Sequence, residues 1–171
     1  VYEGNYWKKV EEIKKEIEGF LKLCEKYKVK ILIHNHSGKY MTVTIGSMLT
    51  FLKGFSNEYI GVYPDPGHLS INGEPIEIAF DMVKEYISAV AVKNLLMKRK
   101  GNKWVKTVVP VDKGFVNWEN VFEELKKINF VGPLSMHSEY DNFSIEEIIS
   151  QTKRDIKYIR EIMQNTFNIK S

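Results

Sequence analysis

Ile60-Gly61-Val62-Tyr63-Pro64-Asp65-Pro66-Gly67-His68 is a short apolar run that meets two prolines and then delivers a carboxylate and an imidazole. Neither proline can donate to a sheet ladder, so a strand from about Tyr59 must stop at Tyr63, with the polar groups just past its carboxyl end. Three other runs repeat the arrangement: Ile31-Leu32-Ile33 leads into His34-Asn35-His36, Val90-Ala91-Val92 into Lys93-Asn94, and Leu134-Ser135-Met136 into His137-Ser138-Glu139. Short apolar runs of this kind fit parallel strands buried on both faces, and a barrel enzyme assembles its site at the carboxyl ends of such strands. All four histidines of the chain stand in these clusters.

Strands are expected at about Lys30–His34, Tyr59–Tyr63, Ile87–Val92 and Pro133–Met136, with helices between them. Trp7, Val10, Ile13, Ile17, Phe20, Leu21 and Cys24 recur at three- and four-residue spacing, which predicts an amphipathic helix from about Tyr6 to Lys26. Ile45–Leu52 predicts a short helix closed by Gly54, and Pro75 opens one that continues through Ile76, Ile78, Ala79, Met82, Val83 and Tyr86. Asn117 caps a helix through Val121, Phe122, Leu125 and Ile128, and Ser144-Ile145-Glu146-Glu147 is a capping box that opens a long final one. Residues 95–110 read as irregular and basic, with Lys98-Arg99-Lys100-Gly101, Trp104 and a short extended piece at Val108-Val109.

A helix followed by four strands, each with its own helix, predicts an α/β protein with a parallel sheet and helices outside. Four such units are about the last half of a (β/α)8 TIM barrel. An open doubly wound sheet competes with that reading. His34-Asn35-His36-Ser37-Gly38 is not the Gly-rich phosphate turn such a sheet would carry, and no nucleotide cofactor is expected. The expectation is one domain over residues 1–171.

The 171 residues are 43% hydrophobic and 27% charged, enough for a real core. A net charge of +3, with lysines interspersed among glutamates, implies no nucleic-acid partner. No apolar stretch reaches about 18 residues and no basic start precedes an apolar segment, so neither a membrane span nor a signal peptide is expected. The lone Cys24 excludes a disulfide framework and fits a cytoplasmic setting. The chain opens on Val1 rather than Met, and Val1-Tyr2-Glu3-Gly4-Asn5 reads as a loop. The expectation is therefore a piece of a polypeptide of roughly twice the size, or a half-barrel that pairs with a second copy to close its open edges.

Within a strand, residues i and i+2 share a face. His34 and His36 then lie with Leu32, Asp65 with Tyr63, Lys93 with Ala91, and His137 and Glu139 with Ser135. An isolated strand-end histidine is more often a hydrogen-bonded structural imidazole. Four histidines with Asp65, Lys93 and Glu139 at equivalent places in successive units point instead to one site. His34, Asp65, His137 and Glu139 are expected to converge on one cavity, with His36, His68 and Lys93 at its rim.

The order and spacing of His34–Gly38, Asp65-Pro66-Gly67-His68 with Gly73-Glu74, Ala91–Asn94, Pro110–Trp118 and Gly132–Tyr140 resemble the carboxyl-terminal half of the xylose isomerase-like barrel superfamily, the sugar phosphate isomerases and epimerases. The resemblance implies a divalent metal held by a Glu, an Asp, a His and a Glu at the ends of strands five to eight, with the two Glu residues shuttling a proton between adjacent substrate carbons. Asp65 matches the Asp, and His68 matches the adjacent substrate-contacting His. At the other three positions stand His34, Ala91 and His137.

Two chemistries follow. In one, Asp65, His34 and His137 hold Mn, Zn, Fe, Co or Mg, with Glu139 or His68 completing the set. Two imidazoles and a carboxylate suit zinc, iron or manganese better than magnesium. In the other, Lys93 polarises a sugar carbonyl, with Glu139 or a histidine as base. The catalytic candidates are thus His34, His137, Glu139 and Lys93, and the substrate-binding candidates are His36, His68, Lys93 and Trp118. Trp104, Trp118 and Tyr140 are candidates for a sugar-stacking wall, and the Lys98–Lys100 run for a phosphate contact.

The resemblance implies carbohydrate metabolism: an isomerase or epimerase acting on a small carbohydrate beside its carbonyl. Two alternatives share the fold, a non-catalytic sugar-binding or assembly subunit and a lyase or metal-dependent hydrolase. Missing basic patches argue against the endonuclease branch.

Overall fold

The computed structural model describes residues 2–168, so Val1, part of the expected opening loop, lies outside the described residues. Helix α1 (Tyr6–Tyr27) starts at Asn5, whose side chain accepts the Lys8 N–H, and ends at Lys28 in the left-handed region. Its buried stripe is Val10, Ile17 and Cys24.

Four parallel strands follow the expected runs: β1 (Ile31–His34), β2 (Ile60–Tyr63), β3 (Val90–Val92) and, last in the chain, β6 (Leu134–Met136). Ile31 to His34 pair with Ile60 to Tyr63, and Val90 to Val92 pair with Leu134 to Met136. Between the pairs, the Val62 N–H donates to Tyr86 O at 2.8 Å, Ser88 N–H to Val62 O at 3.0 Å and Ala91 N–H to Pro64 O at 2.9 Å. The order β1-β2-β3-β6 is thus one continuous parallel wall. Gly61 permits its middle: a Cβ there would lie 2.8 Å from Tyr86 O and 2.5 Å from Ser88 Oγ.

Helices α2 (Ile45–Leu52), α4 (Ile76–Val83), α5 (Trp118–Lys127) and α6 (Ile145–Phe167) lie outside the wall, α1 against α2, α2 against α4, α4 against α5 and α5 against α6. Ile60, Val62, Val90 and Val92 from the wall meet Met48, Leu52, Phe80, Val83, Val121, Phe122 and Leu125 from the helices in one core. The inner strands β2 and β3 are almost wholly buried. The outer strands β1 and β6 are only partly covered. This is a partial (β/α) barrel, with helices on one face and two open edges. Among the described residues no helix is long and apolar enough to cross a membrane.

Two segments depart from the expectation. A short helix α3 (Pro66–Asn72) begins directly after β2, with Asp65 as its cap and Pro66 in its first turn. Residues 95–110 are not irregular: β4 (Asn94–Lys100) and β5 (Lys103–Val109) form an antiparallel hairpin in which Lys100 faces Lys103 across Gly101-Asn102. Most of it stands out in solvent, so no apolar alternation marks it. The two-residue turn with Gly101 at φ +61° was the available signal.

Candidate functional site

Asp65 sits at the centre of the cluster, fully buried, because α3 starts on it. Its Oδ1 accepts the His68 N–H at 3.1 Å. Asn35, just past β1, clamps it from the other side: Asn35 Oδ1 accepts the Asp65 N–H at 2.6 Å, and Asn35 Nδ2 donates to Asp65 O at 3.2 Å. The first turn of α3 lies so close to β3 that a Cβ on Gly67 would be 2.7 Å from Lys93 O.

The second oxygen of Asp65 faces the other ionisable groups. His34 Nε2 and Lys93 Nζ are each 3.5 Å from Oδ2, and His68 Nε2 is 3.7 Å away. Lys93, itself 3% exposed, reaches Glu139 Oε2 at 3.0 Å and His68 Nε2 at 3.4 Å. His137 stacks on His34 with centroids 5.7 Å apart, and its Nε2 meets the Tyr63 hydroxyl at 2.7 Å. Its Nδ1 lies 3.5 Å from Glu139 Oε1. His36 lies 4.0 Å from the His68 ring.

The structure thus brings together His34, His36, Asp65, His68, Lys93, His137 and Glu139, all at the carboxyl ends of the four parallel strands. His68 and Lys93, expected at the rim, are instead buried in the floor beside Asp65. Trp118 does not reach the cluster. It is 1% exposed in the core, where its indole N–H donates to Val111 O at 3.0 Å, so its substrate-binding assignment is corrected to packing. The stacking wall does not form either: Tyr140 is buried with its hydroxyl on the Asp155 carboxylate, and Trp104 stands exposed on the hairpin. Lys98, Arg99 and Lys100 line a cavity of about 590 Å³ with Tyr140, Asn142 and Phe143, apart from the cluster. Sequence reading missed Asn35, Ser37, Tyr63 and Lys106 as site residues. Lys106 extends its ammonium from β5 to Ser37 O at 3.0 Å and Ser37 Oγ at 3.1 Å.

Burial pushes the His68 imidazole down to about 3 despite the opposing pull of Asp65. It is therefore neutral at neutral pH. With Lys93 donating to its Nε2, its Nδ1 carries the proton and donates to Ser37 Oγ at 2.9 Å. Burial also lowers His36 and His137, helped by Lys106 and Lys93 respectively. For Asp65, burial acts to raise the carboxyl, but His34, His68 and Lys93 outweigh it and hold the group below its ordinary range.

Three buried atoms of the cluster lack a hydrogen-bond partner: His34 Nε2, Asp65 Oδ2 and His137 Nδ1. His34, Asp65 and His137 each offer one ligand atom, and the three atoms lie within 4.8 Å of one another. Buried unpaired polar atoms are costly, and converging lone pairs on two imidazoles and a carboxylate are what a divalent transition metal satisfies. The residues present therefore fit such a metal.

Four parallel strands with outer helices, ending in a shared cluster of ionisable groups, define a partial barrel with its candidate site at the strand ends. The sequence profile of the xylose isomerase-like TIM barrel family matches residues 2–162, and the chain belongs to that family. No curated protein sequence matches it. Among solved structures, a xylose isomerase domain protein from Planctomyces limnophilus is similar at a TM-score of 0.76, with 18% identity over 92% of this chain and 55% of that one. D-Psicose 3-epimerase from Clostridium cellulolyticum H10, with D-tagatose, gives 0.72 and 14% identity over 95% of this chain and 59% of that one. A xylose isomerase-like TIM barrel protein from Mycobacterium smegmatis, in complex with magnesium, gives 0.64 and 13% over 97% and 55%. At these identities the likeness shows the fold. The chain spans 55 to 59% of the length of these structures.

Proposed function

We propose that this chain carries the reaction centre of a sugar isomerase or epimerase, which moves a proton on a carbon beside a carbonyl. The observation that carries the reading is the meeting of His34, Asp65 and His137, each with a ligand atom within 4.8 Å of the others and each with a buried atom that lacks a hydrogen-bond partner, beside the Lys93–Glu139 ion pair. A divalent metal held by His34, Asp65 and His137 would supply Lewis-acid polarisation of the carbonyl.

The chain's own residues do the rest. Tyr63 engages His137 Nε2 at 2.7 Å, and with its hydroxyl as acceptor of the Nε2–H, Nδ1 would be the free nitrogen. Glu139, 60% exposed and held by Lys93 at 3.0 Å, is the group placed to take and return the proton. His36, beside the His68 ring, lies where a substrate hydroxyl would be bound, while His68, with both ring nitrogens engaged, shapes the floor. A second reading rests on Lys93, whose ammonium shares the Asp65 oxygen at 3.5 Å and could polarise the carbonyl without a metal.

The likenesses include epimerases and a mannonate dehydratase, so a dehydratase using the same proton abstraction is the neighbouring alternative. A further half-barrel, from additional polypeptide or from a second copy, is proposed to close the edges at β1 and β6. The single buried thiol of Cys24 supports a reducing, cytoplasmic setting.

Elemental analysis of the purified protein, combined with NMR detection of deuterium uptake from D2O into a panel of ketoses, tests the reading. About one metal per chain and exchange at the carbon next to the carbonyl are expected, both lost in Asp65→Asn. Exchange without metal moves the chemistry to Lys93. Absence of both metal and exchange overturns the proposal.

A further inference from the structure

The hairpin after β3 has two different faces. Met97 pairs with Lys106 and Lys98 with Val105, so alternation places Lys106 with Met97 on one face and Lys98, Val105, Leu96 and Thr107 on the other. Lys98, Val105 and Thr107 of the second face line the 590 Å³ cavity. The first turns Lys106 toward the loop after β1, where its ammonium rests on Ser37 O and Oγ. Ser37 Oγ in turn meets His68 Nδ1 at 2.9 Å, and the opposite nitrogen of that ring meets Lys93. Lys106 therefore stands one side chain away from the floor of the cluster, at its mouth.

Its charge feels Asp65 and Glu139 only at a distance. Both acceptors on Ser37 are neutral, and among the described residues no carboxylate forms an ion pair with Lys106. The carboxylates of the cluster, Asp65 and Glu139, are both engaged by Lys93. A divalent cation on His34, Asp65 and His137 would leave the site still more positive, with only the substrate left to balance it. An ammonium that donates to neutral oxygens exchanges them readily for an anionic acceptor, because charge-assisted hydrogen bonds are about twice as strong.

We infer that Lys106 is a specificity residue: it binds an anionic oxygen group, a carboxylate or a phosphate, on an acidic sugar whose carbonyl end lies at the His34–Asp65–His137 cluster. The inference rests on the isomerase reading for the position of that carbonyl. Lys106 orients the acidic end and leaves the proton transfer to other groups.

The test is calorimetric titration of the purified protein with D-fructose, D-fructose 6-phosphate and D-glucuronate, at low and high salt. At least one anion is expected to bind on the order of 10-fold tighter than D-fructose, with the advantage shrinking as salt screens it. The phosphate and carboxylate arms tell the two anions apart. Lys106→Met should abolish the advantage and Lys106→Arg should keep most of it. Both variants should fold normally, since the side chain is exposed. Equal binding of neutral and anionic sugars, an advantage that survives Lys106→Met, or no sugar binding at all overturns the inference. Deuterium uptake reports separately: exchange into D-fructose without an anion preference leaves the isomerase reading standing. Lys106-dependent anion binding with no exchange removes that reading and keeps an acidic-sugar binding site.

Discussion

Tyr63 and His137 stand 74 positions apart, yet the phenolic oxygen and the imidazole Nε2 meet at 2.7 Å. The bond ties the carboxyl end of β2 to that of β6 and sets which nitrogen of His137 is left for the cluster. Outer groups of this kind tune affinity rather than supply it. Tyr63→Phe should lower zinc affinity by roughly 10- to 100-fold with little change in melting temperature. Calorimetry with zinc checks it, and an unchanged affinity would separate Tyr63 from ligand orientation.

Asp65 serves the fold as well as the site. Asp65→Ala removes the cap of α3, worth about 0.5–2 kcal/mol, and leaves the ammonium of the buried Lys93 with Glu139 as its remaining carboxylate. A loss of several kcal/mol is expected in urea denaturation, on the order of other broken buried pairs. Asp65→Asn keeps an oxygen for the His68 N–H and should cost less. Both variants should lose metal. Equal stability of Asp65→Ala and wild type would contradict the capping and pairing roles.

Stability should fall in acid because of His68. In the native state this imidazole stays neutral down to about pH 3, whereas its ordinary value is 6.5, so between those limits the unfolded chain binds the extra proton. Unfolding free energy then decreases as pH is lowered, by about 1.4 kcal/mol per pH unit for this one group. Urea titrations in EDTA between pH 7.5 and 4.5 should show a slope about one proton steeper for wild type than for His68→Gln. Identical slopes would place the acid sensitivity elsewhere.

Two glycines should respond with opposite signs to the same substitution. Gly67→Ala drives a methyl to 2.7 Å from Lys93 O and should destabilise by about 1–3 kcal/mol while loosening Asp65 against Lys93. Gly19→Ala, in α1 with nothing within 4 Å of its Cβ, should stabilise by about 0.5–1 kcal/mol. Thermal melts of the two variants decide it.

The open strands make a prediction about association. Leu32 on β1 is 37% exposed, and apolar grooves flank both edge strands, one lined by Ile13, Ile33 and Met41, the other by Leu134, Met136 and Ile159. Unpaired parallel edges template pairing. Light scattering of the isolated chain should give a mass above 20.0 kDa, reduced by Leu32→Lys. A stable monomer would count against edge pairing.

The four strand ends and the residue types gathered there are legible in the sequence. Pro64 and Pro66 stop β2, apolar runs mark β1, β3 and β6, and helical spacing marks α1, α5 and α6, all of it information carried by neighbours along the chain. His34, Asp65, His137 and Glu139 were legible for the same reason, since a position just past a parallel strand has one geometric meaning in a barrel. Tertiary structure alone decided how deep each group lies. Lys93 and His68 became the floor because α3 packs its first turn against β3, and Trp118 became core because Val111 offered its indole an acceptor. Lys106 entered the site through an antiparallel hairpin exposed on most of its length, and a strand that buries little carries little hydrophobic period to read. Local patterns record which face of an element is apolar, whereas the meeting of Lys106 with Ser37, 69 residues apart, depends on how the chain folds back on itself.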